Sequence, residues 1–216
     1  MNILYSSVYT CVILFIHIYN VNGTETDLCG GRKGQYNFHG QNIHHLLGTS
    51  FHRMTRKANR LRFHTLTAMN KIELTYPSVN RVTEVLINDR CLDYITNSTL
   101  LDNNISKIHL FTIQFNMLQE AREVVNQLHA PPNNFGFSLL RLRNSYIKSL
   151  MCEISMIMHI LEQPVPPTSG KSVQLCENLD RIGKYEQGYV LLDRIEKLSR
   201  TLHSQYSSLR PDDVLF

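Results

Sequence analysis

The residues able to do chemistry are few and scattered. Gly170-Lys171-Ser172 looks like the end of a phosphate-binding loop. That loop needs a glycine five residues before Gly170, and Val165 stands there. Pro166 and Pro167 also remove two backbone N–H groups that would cradle a phosphate. The segment therefore reads as a turn. His39, His44, His45, His52 and His64 crowd one region. A helical metal pair wants imidazoles four residues apart, as in H-E-x-x-H. His45 and His52 are seven apart, and no carboxylate or cysteine joins them. There is no G-x-S-x-G elbow and no recognisable carboxylate pair. No catalytic residue, cofactor or metal site is expected. The expectation is a protein that binds rather than one that reacts.

What it would bind is suggested by charge. Arg53, Lys57, Arg60 and His64 recur at helical spacing and form a stripe beside an apolar one. Such a stripe is either a solvated face or a contact for an acidic receptor surface or sulfated glycan. The formal net charge of +4 is mild and does not demand nucleic acid.

Residues 1–23 contain no Lys, Arg, Asp or Glu, and Cys11 to Ile18 is almost unbroken apolar sequence. Val21 and Gly23 are small enough to flank a cleavage site, so the segment reads as a secretory signal peptide. It is shorter than the ~20 residues of a spanning helix, and no membrane insertion is expected. The expected location is extracellular. Cys11 leaves with the leader. Cys29, Cys91, Cys152 and Cys176 remain, which in a secreted chain implies two disulfides with three connectivities open. Asn97-Ser98-Thr99 and Asn104-Ile105-Ser106 are glycosylation acceptors.

The elements behind these residues follow from periodicity. Thr24 to Gly40 is glycine-rich and reads as an irregular arm over 24–40. Ile43, Leu47, Ser50, Met54, Ala58, Leu61, Thr65, Ala68 and Ile72 then recur at steps of three and four. They predict helix A over 42–74, closed by Pro77. A long connection holds Cys91 and both glycan sites. Asp102 is a candidate cap for helix B over 103–129, whose stripe includes Ile105, Ile108, Thr112, Phe115, Leu118 and Val125. Helix C is expected over 138–161, ending early near Met158. Helix D is expected over 171–206, from Leu175 and Leu179 through Ile182 and Ile195 to Leu202. The bundle would span 41–209, with 210–216 a tail. No segment alternates at period two for long enough to be a strand. A short BC turn makes B and C antiparallel neighbours, whereas the long AB link lets A and B run the same way. The fold class is all-α, a long-chain four-helix bundle with up-up-down-down topology.

The chain resembles the interleukin-6 family of helical cytokines. The resemblance rests on Ser149-Leu150-Met151-Cys152, the Thr168-Ser169-Gly170-Lys171 turn, a cysteine near the start of helix D, Leu179 to Gly183-Lys184-Tyr185, and Arg90-Cys91-Leu92-Asp93 before Asn97. Together these cover about a third of the chain. The resemblance implies disulfides Cys29–Cys152 and Cys91–Cys176. It implies a secreted ligand that clusters single-pass receptors, such as the family's shared signal-transducing receptor, and triggers receptor-associated kinase signalling. Receptor contacts are expected at Arg53, Lys57 and Arg60, and near Lys171 and Gln174. Gln174 and Glu177 stand where the family carries an aromatic residue and a lysine. The alternatives are a secreted helical carrier of a small apolar ligand, or a growth-hormone-like or interferon-like ligand.

Overall fold

The computed structural model describes residues 29, 42–79, 106–128, 135–167, 173, 175–176 and 179–215. The chain separates into two units, Met1–Asn37 and Phe38–Phe216. Of the first, only Cys29 is described, as an exposed bend. The signal-peptide reading, the arm, Cys91, Asn97, Asn104, Lys171 and Gln174 all lie outside the described residues. Apart from Cys29, everything below concerns the second unit.

That unit is all-helical, with no strand among the described residues. Helix α1 spans Ile43–Thr75, close to the expected 42–74. The Asn42 side chain opens it by accepting from the His45 backbone N–H at 3.2 Å. The expected apolar stripe is buried except for Ile43, which is 42% exposed. Helix α2 spans Lys107–Leu128. Ser106 accepts from the His109 N–H at 3.3 Å, so the start lies four residues after the predicted one. The buried face of α2 also differs from the expected stripe. Phe115, Leu118 and Val125 of that stripe are buried, joined by Phe111, Gln114 and Ala121, while Ile108 and Thr112 are only half-buried.

The expected helix C is one rod in three parts: α3 (Phe135–Arg141), a π-helical segment (Leu142–Ile147) and α4 (Lys148–Ile160). A π turn holds one more residue than an α turn. Leu139 and Leu142 are buried, and the next buried residue is Ile147, five positions on. An uninterrupted α-helix would send Tyr146 inward instead. The extra residue turns Tyr146 to the edge of the rod and keeps Ile147, Leu150 and Ile154 in the core.

The last long helix, α5, spans Arg181–Ser208. It begins ten residues after the predicted start at 171. The reason is local. Asp180 caps it by accepting from the Gly183 N–H at 2.7 Å. Residues 173, 175–176 and 179–180 are not helical. Val173 is buried there, but Leu175 and Leu179 are half-buried and Ile182 is exposed. Leu175 and Leu179 keep helical spacing in a non-helical segment, and Ile182 lies on the exposed side of the first turn of α5. The expected tail also contains structure. A short helix, α6 (Asp212–Leu215), buries Val214, and Asp213 accepts from the Arg210 N–H.

Named contacts fix the direction of each pair. Along α1, Arg53, Lys57, His64 and Lys71 meet Glu153, Ser149, Tyr146 and Ser138 in turn. The partner numbers fall, so the rod runs antiparallel to α1. Arg62 and Glu73 meet Glu196 and Tyr189, so α5 is also antiparallel to α1. Gln114 meets Gln205 and Tyr206 of α5. A Cβ on Gly188 would lie 3.7 Å from Leu128 and 4.0 Å from Ile72. These contacts run α2 antiparallel to α5. Phe51 stacks on Phe111 at 6.3 Å near the other end. Together with the shared Gly188 level, that makes α1 and α2 parallel.

Candidate functional site

Among the described helices, α1 has the largest excess of positive charge. It carries Arg53, Arg56, Lys57, Arg60, Arg62 and Lys71 against a single carboxylate, Glu73. Four of the cations, with His64 between them, fall on the side that faces the α3–α4 rod. This seam is built around Glu153, which is 7% exposed. Its two oxygens accept from Lys57 Nζ at 2.6 Å and from Arg53 Nε at 3.1 Å. Lys57 also donates to the Ser149 carbonyl at 3.2 Å, and Arg53 to Ser50 Oγ at 3.1 Å. A buried carboxylate left alone would cost several kcal/mol; here two cations satisfy it.

This corrects one expectation. Arg53 and Lys57 do not stand on a free edge. They hold a buried partner, and their side chains are 36% and 27% exposed. Arg60 alone of the three is exposed.

Further along the seam, the His64 ring lies 4.0 Å from the Tyr146 ring, with planes 16° apart. Phe63 meets His64 edge-on at 5.3 Å and is 65% exposed. The exposed Arg141 guanidinium sits 5.9 Å from the Tyr146 ring centroid. His64 is held below the ordinary histidine value, first by burial and then by Arg141 and Arg60. Lys71 donates to Ser138 at 2.7 Å where the seam ends. The outward side of α1 is apolar in patches, with Phe63, Leu66 and Leu74 all exposed. At the same end as Leu74, Tyr76 lies 4.4 Å from Tyr185, one turn after exposed Ile182.

A second buried carboxylate, Glu196, faces α1 from α5. Arg62 donates to it at 2.7 Å and Arg200 at 2.9 Å. Tyr189 donates to Glu73, and burial together with that bond pushes its hydroxyl pKa up. Cys29, Cys152 and Cys176 are disulfide-bonded. Among the described residues, no three His, Cys, Asp or Glu side chains gather into a metal-binding group.

Sequence reasoning missed Glu153, Arg141, Tyr146 and Phe63. A signal for Glu153 existed: it is the lone carboxylate inside the apolar run Leu150 to Ile157. Tyr146 had none, because its orientation depends on the π turn. Comparison with family models, curated proteins and solved structures finds no match for this chain.

Proposed function

We propose that the chain is a secreted helical ligand that binds and clusters single-pass cell-surface receptors, in the manner of the interleukin-6 family of cytokines. The observation that carries this reading is the outward side of α1. Phe63 is 65% exposed and Leu74 84% exposed, with Leu66 exposed between them, on the side of α1 away from its buried stripe. Exposed aromatic side chains and arginines are enriched in protein-binding surfaces. Helix directions support it too. α1 and α2 run one way, and the rod and α5 the other, as in an up-up-down-down bundle. Buried Glu153 and Glu196 are occupied by cations, which leaves them a structural role rather than an acid–base one.

The test is direct. Labelled full chain is applied to cells that each express one single-pass cytokine receptor. Saturable binding to one receptor, with activation of its associated kinase, is the expected result. Uptake of a fluorescent lipid probe by the protein, with no receptor bound, would replace this reading with the apolar-ligand carrier.

A further inference from the structure

The seam between α1 and the α3–α4 rod has more positive charge than the fold uses. Arg53, Lys57, Arg60 and Lys71 line it from α1, and Arg141 from α3. The carboxylate facing them is Glu153, which takes two cations. Lys71 is met by the neutral Ser138 hydroxyl. Arg60 and Arg141 are exposed, and no carboxylate is seen pairing with either among the described contacts.

The shape of this charge is linear. Arg53 and Lys71 are eighteen residues apart on one helix, about 27 Å at 1.5 Å per residue. Between them the His64 and Tyr146 rings stack on one another across the seam, with the Arg141 guanidinium over the Tyr146 ring. A line of cations suits a long, regular polyanion better than a single carboxylate loop. Arginine forks pair with planar or tetrahedral oxyanions through two parallel hydrogen bonds.

We infer that this seam binds a sulfated polysaccharide. Arg60 and Arg141 hold the sulfates, beside the stacked Tyr146–His64 pair. The π-helical segment serves this site, because it is what turns Tyr146 onto His64. The inference is independent of the receptor reading. It concerns the seam, whereas the receptor reading rests on the outward apolar residues.

The probe is a size-defined heparin oligosaccharide, with the recombinant full chain at physiological salt. Binding that weakens steeply as salt rises is expected. Arg60→Ser with Arg141→Ser should weaken it by about tenfold or more, equivalent to about 1.4 kcal/mol or more. Arg181→Ser with Lys184→Ser removes the same charge from two exposed residues at the start of α5, and should change it by about twofold at most. Equal losses in the two pairs would reduce the effect to net charge and overturn the site. No heparin binding at physiological salt would overturn it as well. If heparin fails to bind but Arg60→Ser with Arg141→Ser abolishes receptor binding, the seam belongs to an acidic protein partner instead.

Discussion

Lys57 Nζ and Glu153 Oε1 lie 2.6 Å apart across the seam between α1 and α4. Arg53 reaches the other oxygen of the same carboxylate. Two cations thus share one buried anion, and the register of α1 against the rod is pinned there. Glu153→Leu removes the anion but leaves two part-exposed cations able to turn to water. It should cost about 1–2 kcal/mol. Arg53→Ala together with Lys57→Ala leaves the carboxylate buried alone and should cost about 3 kcal/mol or more. Urea melts of the three proteins check the order. Arg53→Glu should likewise lower the melting temperature, whereas Arg60→Glu should leave it nearly unchanged.

Acid should weaken the His64–Tyr146 stack. Because the folded state holds the His64 pKa below its ordinary value of about 6.5, the unfolded chain binds the proton more readily. Stability from this group is therefore full above the unfolded value and falls as pH drops through it toward the folded pKa. Melting temperature measured between neutral and mildly acidic pH should decline, and His64→Phe should make the decline shallower. Identical slopes in parent and variant would remove His64 from the account.

Core positions should reject charge unequally. Ile147, Ile154 and Ile195 are fully buried. An aspartate at any of them should cost several kcal/mol, comparable to the stability of a domain. Leu179 is only half-buried in a non-helical segment, so Leu179→Asp should be far milder. Circular dichroism melts of the four single variants separate the two classes.

Phe63→Ser and Leu74→Ser should not destabilise the fold by more than about 0.5 kcal/mol, since both side chains are mostly exposed. Each should lower receptor binding, mainly through faster dissociation. Unchanged binding in both would move the protein-contact surface off α1.

The disulfide pairing expected from the family resemblance is Cys29–Cys152 with Cys91–Cys176. A bridge closing a loop of over a hundred residues is worth on the order of 4 kcal/mol in the chain-entropy picture. Non-reducing peptide mapping should recover both pairs, and a Cys29–Cys91 peptide would overturn the assignment.

By itself the sequence determined where apolar faces recur, and so the all-helical class and the extent of α1. Its stripe from Leu47 to Ile72 is long and unbroken, and Asn42 and Pro77 mark its ends by local chemistry. Other features needed three dimensions. Leu175 and Leu179 keep helical spacing, yet Asp180 and Gly183 start the helix after them, and spacing alone carries no backbone angle. On α2 the expected Phe115, Leu118 and Val125 are buried, but Leu110, Phe111 and Val124 widen the face in the direction of its neighbours. Arg53 and Lys57 looked like a solvated edge until Glu153, a hundred residues and ninety-six residues away respectively, was placed beneath them. Tyr146 reached His64 only because a π turn added one residue to the rod. Periodicity records which side of a helix is apolar. What lies opposite its polar side is decided by packing between distant segments.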